Sequence, residues 1–194
     1  MQKIRDLLKA KANDNWGQGP LTFAFLGDSV TQTCFELYKK SDGAIDAYYD
    51  ADAAYHLYLK RMLAMLYPSV PVNILNAGIG GDNAPHGLER LERDVIAHHP
   101  DLAVVCYGLN DSWGGLDGLS AYGDALGQIF DRLKEAGIET LFMTPNMMCT
   151  EISCHLEDET ILETAKGASE LQNSGGMDRY METAKKVCAE HGVP

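Results

Sequence analysis

Four short runs that are apolar on both faces constrain this chain more than any other feature. Residues 21–26 (Leu-Thr-Phe-Ala-Phe-Leu) lie between Gly19-Pro20 and Gly27. Residues 72–75 follow Pro71 and end at Asn76-Ala77-Gly78. Residues 102–107 follow Pro100 and end at Gly108, and residues 140–143 end at Thr144-Pro145. A strand with one wet face alternates apolar and polar residues, whereas a run apolar throughout suits a parallel sheet covered by helices on both sides. Helical spacing fills the gaps: Tyr55, Leu59, Met62, Leu63 and Leu66 within 53–67, and Leu88, Leu91, Val95 and Ile96 within 88–98. Tyr122, Leu126, Ile129 and Leu133 repeat it within 119–136, where Gly137 supplies a stop, and a last helix covers about 177–191. This alternation implies βαβ units, and so an α/β fold: a three-layer α/β/α sandwich with a parallel, doubly wound, flavodoxin-like sheet. A chain of 194 residues fits one domain, taken as 1–194.

In such folds the reacting groups gather beyond the carboxyl ends of the strands. The first run opens into Gly27-Asp28-Ser29-Val30-Thr31, the second into 76–83 (Asn-Ala-Gly-Ile-Gly-Gly-Asp-Asn), the third into Gly108-Leu109-Asn110-Asp111. A serine at a strand-to-helix turn is accessible and sits at a helix N-terminus, where the dipole favours developing negative charge. Acyl transfer needs donors fixed in advance around a tetrahedral oxyanion. Three donors can converge here: the backbone N–H of Ser29, the backbone N–H of Gly81 and the side-chain amide of Asn110. Glycine at 81 permits close approach and unusual φ/ψ, and Asn110 offers a neutral N–H₂ on a short arm. Taken singly, Ser29 also suits an N-cap, Gly80-Gly81 a tight turn and Asn110-Asp111 a capping turn; one shared active site explains all three together. Asp28 reads as a support for its own turn, and Asp82 and Asp111 as residues that orient loops. With Asn83 and Trp113, these three aspartates are also the candidate substrate-binding residues.

The three blocks resemble the first three sequence blocks of the SGNH hydrolase, or GDSL esterase, family: Gly-Asp-Ser, Asn-x-Gly-x-x-Gly-Asp and Gly-x-Asn-Asp, in that order over about 20–145. The resemblance implies a serine esterase with no cofactor and no metal, in which Ser29 is the nucleophile and Ser29, Gly81 and Asn110 form the oxyanion hole. The family's catalytic Asp and His come from a late Asp-x-x-His block after a fifth strand. Here the final helix closes at His191-Gly192, and Val193-Pro194 reads as the start of a further strand. The expectation is therefore a domain truncated at its C-terminus, with the C-terminal strand and helix missing, the catalytic Asp and His absent and hydrolysis impaired. The sheet should then show an edge that is exposed, or covered by a partner chain in a homo-oligomer. None of the six histidines reads as the base. His56, His98, His99 and His191 are structural, His86 borders the second exit, and His155 lies in 145–175, read as a lid or substrate loop.

A formal charge of -12 argues against nucleic acid and against docking on anionic lipid. No apolar run approaches the roughly 18–20 residues of a membrane span, and residues 1–8 lack the pattern of a secretory signal. Five scattered cysteines then read as reduced thiols in a cytoplasm, and Cys149 and Cys154, without a second pair, make no zinc site. A nucleotide-binding reading of 78–82 fails for want of a basic residue and of the phosphate-loop pattern. The tyrosines of the acidic segment 42–58, among them Tyr48, Tyr49 and Tyr55, and Trp113 suit flat sugar rings. The leading substrate is thus a short-acyl, acetyl, ester of a carbohydrate or another small ester. The alternative is a carbohydrate-binding module that kept the cleft and lost the base.

Overall fold

The computed structural model describes all of residues 1–194. In chain order the elements are α1 (Gln2–Asn13), β1 (Leu21–Gly27), α2 (Ser29–Gln32), β2 (Cys34–Lys39), β3 (Ile45–Tyr49), α3 (Tyr55–Leu66), β4 (Val72–Gly78), α4 (Ala84–Asp94), β5 (Leu102–Cys106), α5 (Leu119–Glu135), β6 (Glu139–Phe142), α6 (Glu159–Asn173) and α7 (Gly176–His191). All four apolar runs are strands of one sheet, ordered β4-β1-β5-β6 and parallel at every pairing. The chain steps from β1 out to β4 and then back past β1 to β5, so the exits of β1 and β5 diverge. That reversal is where open α/β sheets place their ligands.

Period-two alternation assigns the strand residues to two cores. Ala24, Leu26, Ala103 and Val105 face one helical layer and pack with Leu91 of α4, Leu126, Ile129 and Leu133 of α5, and Tyr180 and Ala184 of α7. Leu21, Phe23, Phe25, Val72, Leu102 and Val104 face the other, where Ile4 and Leu8 of α1 and Leu59 and Leu63 of α3 cover them. Burial on both faces is what the uninterrupted apolar runs required. The expected stop after α5 is Gly137 at φ 73, and Gly192 at φ 68 closes α7.

Two elements differ from the sequence reading. Segment 34–49 is an antiparallel hairpin, β2 with β3, whose Phe35, Leu37, Tyr38, Tyr48 and Tyr49 remain exposed. Its turn holds Gly43 at φ 87 beside Asp42, which accepts the N–H of Ala44. Segment 145–175, read as a loop, contains α6, capped by Asp158 through the N–H groups of Thr160 and Ile161. At the open edge of the sheet the N–H of Phe142 donates to the carbonyl of Pro194 at 3.0 Å, and the sheet has four strands within residues 1–194.

Candidate active site

The carboxyl ends of β1, β4 and β5 deliver three loops to one place, and glycines make the approach possible. A Cβ on Gly27 would stand 2.2 Å from Thr31 Oγ1 and 2.8 Å from the Cys106 carbonyl oxygen; one on Gly78 would stand 2.2 Å from the Gln32 backbone nitrogen. Bare backbone at 27 and 78 thus lets α2 fold down between the ends of β1 and β4. Asp28 caps α2, its Oδ1 accepting the Val30 N–H at 3.0 Å, and Ser29 is the first residue of the helix, partly exposed. That helix is one turn long and stops at Thr33 with φ 94. Its macrodipole is small, so the sequence-based appeal to the dipole gives way to discrete N–H donors.

The second loop touches both of the others. On one side Ile79 N–H donates to the Gly27 carbonyl at 3.1 Å and Gly80 N–H to Gln32 Oε1 at 2.6 Å, and a Cβ on Gly80 would lie 3.9 Å from Ser29 Cβ. Gly81 follows at φ 77, a conformation that favours glycine. On the other side Asn110 Nδ2 donates to the Asp82 carbonyl at 2.7 Å, and Asp111 Oδ1 accepts the Ala84 N–H at 2.9 Å. The bond to Asp82 orients the Asn110 amide and leaves its second N–H for another acceptor. The loops that carry Ser29, Gly81 and Asn110 are therefore hydrogen-bonded into one frame.

The candidate substrate contacts divide. Asp28 and Asp82 are buried and hydrogen-bonded within the frame of the site. Asp82 is bound by Arg90 and Tyr107. Asp111 holds the second loop, and Asn83 caps α4 by accepting the His86 N–H at 3.0 Å. Trp113 is exposed on one side, with Gly167 of α6 against its ring on the other. Burial pushes the Asp28 carboxyl up to about 6, helped by the charge of Asp82; burial does the same to Asp111, also to about 6, with Asp28 adding to it. Each of these two carboxyls has its Oδ2 enclosed without a hydrogen-bond partner.

None of the six histidines hydrogen-bonds to Ser29. His56 is buried against Phe25 and Tyr55, its Nε2 is 3.2 Å from the Thr31 carbonyl, and burial lowers its pKa; its role is packing. His191 Nδ1 pairs with Asp131 Oδ1 at 2.8 Å across α7 and α5. His86 is exposed, with Nδ1 3.9 Å from Asp82 Oδ1. His98, His99 and His155 are exposed.

Residues 25–194 match the GDSL-like lipase/acylhydrolase family. The chain belongs to that family. Among curated proteins it is 32% identical over 93 residues to an acetylxylan esterase from Geobacillus stearothermophilus, covering 48% of this chain and 41% of that one; the match spans about two fifths of that relative. Among solved structures, a lipase/acylhydrolase from Enterococcus faecalis superposes with a TM-score of 0.62 at 21% identity, over 90% of this chain and 74% of the other. A catalytic mutant of an acetylxylan esterase from Geobacillus stearothermophilus does so at 0.61 and 23%, over 89% and 74%. These likenesses establish the fold of an SGNH hydrolase. Within this acylhydrolase frame three residues escaped sequence reasoning: Gln32, Arg90 and Tyr107. Arg90 carried a signal, since it shares a face of α4 with Gly87 and Leu91, all three buried.

Proposed function

We propose that this acylhydrolase is a serine esterase that removes short acyl groups, acetyl first among them, from carbohydrate or other small esters. One observation carries the reading: the 79–83 loop that bears Gly81 is bonded on one side to the helix of Ser29 and on the other to the amide of Asn110. In the reaction the Ser29 hydroxyl gives its proton to a base, imidazole in the test below, as Oγ forms a bond to the ester carbonyl carbon and the carbonyl oxygen takes the negative charge; the base later returns that proton to the leaving alcohol. The N–H groups of Ser29 and Gly81 and the free N–H of Asn110 are the donors that hold it. Collapse of the tetrahedral species breaks the bond to the alcohol, which leaves with a proton, and water then hydrolyses the acyl-enzyme. Residues 1–194 supply the nucleophile and the donors; no histidine among them touches Ser29. Turnover by these residues alone is therefore slow, with the oxyanion donors providing what remains.

Two observations support the sugar ester. A Cβ on Gly80 would lie 3.2 Å from the Tyr49 hydroxyl, so the hairpin brings an exposed tyrosine to the 79–83 loop, and Trp113 stands exposed beside Asn110. The acetylxylan esterases among its relatives suit the same reading.

The test is p-nitrophenyl acetate turnover with added imidazole as an external base. Parent protein should turn over faster than Ser29→Ala and label with a fluorophosphonate, whereas equal rates and equal labelling would remove Ser29 from the chemistry. The exposed Trp113 and Tyr49 also suit a second reading, a sugar-binding module without catalysis. Tight binding of acetylated xylo-oligosaccharide with no imidazole-dependent turnover would select it.

A further inference from the structure

We propose that Arg90 is a positioning residue for the oxyanion site: one buried guanidinium ties the exits of β1, β4 and β5 together and so sets where the donors of Ser29, Gly81 and Asn110 stand relative to one another. The proposal rests on the esterase reading. It comes from where the five N–H groups of Arg90 go. Nε and Nη2 both reach Asp82 Oδ2, at 2.9 and 2.5 Å. Nη1 donates to the Ala77 carbonyl at 2.7 Å and to Asp94 Oδ2 at 3.0 Å. Nη2 also donates to the Gly27 carbonyl at 3.1 Å and to the Tyr107 hydroxyl at 2.8 Å, and that hydroxyl donates onward to Asp82 Oδ2 at 2.6 Å.

The partners are arranged around the site. Gly27 lies two residues before Ser29, Asp82 follows Gly81, and Tyr107 lies three residues before Asn110. Asp82 is doubly placed, since its carboxylate is clamped by Arg90 while its backbone carbonyl receives the Asn110 amide. One side chain thus anchors every donor-bearing loop within three residues of its donor. Arg90 is 8% exposed and Asp82 5%. A buried ion pair of this kind costs several kcal/mol in desolvation, so stability alone is a poor reason for it. Fixed geometry is a better one, because a misplacement of about 1 Å can cost about 100-fold in rate. Lysine cannot substitute, since a single ammonium lacks the planar fork that reaches two carbonyls, two carboxylates and a phenol at once. Asp94 provides the internal control. It bonds the same guanidinium from the next turn of α4 and makes no hydrogen bond to any of the three loops.

Arg90→Lys, Tyr107→Phe and Asp94→Asn are compared with the parent for Tm, near-ultraviolet circular dichroism, and kcat and KM of imidazole-supported p-nitrophenyl acetate turnover, well below every Tm. Arg90→Lys should lower kcat by about 10- to 100-fold with KM changed by less than about 2-fold, and Tyr107→Phe should lower kcat by about 3- to 10-fold. Asp94→Asn should lower Tm and leave kcat within about 2-fold of the parent. Folded Arg90→Lys with parental kcat, or an equal loss of kcat in Asp94→Asn, would overturn the role. If Arg90→Lys fails to fold, Tyr107→Phe decides, because the ring stays and one hydroxyl goes. Turnover that depends on Ser29 but not on Arg90 or Tyr107 ends this proposal alone; turnover indifferent to Ser29→Ala ends the esterase reading beneath it.

Discussion

Replacing Gly78 with alanine should move Ser29, the proposed nucleophile, without touching it. The added Cβ would fall 2.2 Å from the Gln32 nitrogen, 2.5 Å from the Thr31 carbonyl carbon and 2.7 Å from Gln32 Cα, all backbone atoms of the helix that begins at Ser29. Ordinary contact is about 3.5 Å, so β4 and α2 must separate by roughly 1 Å. Gly78 does not have a positive φ, so alanine is conformationally acceptable there. By itself the loss of glycine's freedom in the unfolded chain would stabilise by about 0.4–1 kcal/mol. Overpacking against backbone costs about 1–3 kcal/mol and wins, for a net loss of about 1–2 kcal/mol. The larger effect is kinetic: a shift of about 1 Å in Ser29 against the Gly81 N–H and the Asn110 amide should lower kcat by about 100-fold. The assay is Ser29-dependent turnover of p-nitrophenyl acetate with imidazole, beside Tm from thermal unfolding. Gly19→Ala is the control, because a Cβ there meets nothing within 4 Å. If Gly78→Ala matches Gly19→Ala in both rate and Tm, the packing of α2 on the end of β4 does not position Ser29 and the reasoning fails.

Asn110→Ala should lower kcat by about 10²–10³ through loss of an oxyanion donor, and Tm should fall modestly because the bond to the Asp82 carbonyl goes too; parental kcat would exclude Asn110 from the site. Gly81→Ala meets no neighbouring atom but forces an L-residue to φ 77, which should cost about 1–2 kcal/mol of stability in chemical denaturation. Asp28→Asn tests the buried carboxyl. Its folded pKa of about 6 lies above the ordinary 3.8, so the native state holds the proton more tightly, and the stabilisation from the neutral form is complete below about pH 4 and lost as pH rises through 6. Asn keeps the acceptor for the Val30 N–H, so Tm of Asp28→Asn should exceed the parent's above pH 6 and converge with it below pH 4; parallel Tm curves would refute the assignment.

What was legible in the sequence was what local pattern dictates. Residues 21–26 and 102–107 are apolar on both faces, and only a sheet between two helical layers buries both; the exits of those strands then named Ser29 and Asn110. The hairpin of β2 and β3 was also written locally, in Asp42-Gly43 between alternating runs, but its aromatic side chains stay exposed and pack no core that would have flagged it. Helix α6 has no buried residue, so its pattern was too weak to separate from a loop. Arg90 is a different case. A charge in an amphipathic helix belongs by default on the solvent face, and its burial follows from three strand ends that are far apart in the chain.

The three motifs share a regularity that only the packing explains: each donor has an aspartate beside it, Asp28 next to Ser29, Asp82 next to Gly81 and Asp111 next to Asn110. None of the three is placed to react. Asp28 ties its own turn through Val30, Asp82 binds the guanidinium beneath all three loops, and Asp111 reaches across to the N–H of Ala84 at the start of α4. Neutral side chains would anchor the loops with less electrostatic cost, since Asp28 and Asp111 are both hard to ionise where they sit. Of the three, only the Asp82 carboxylate accepts from several donors at once, Arg90 and Tyr107, which an amide with a single acceptor oxygen cannot match, and the Arg90 charge offsets Asp82 where the crowding is greatest. In the proposed mechanism nearby negative charge also opposes the oxyanion, so turnover would depend on how firmly the bonds of adjacent residues fix the N–H groups of the three loops.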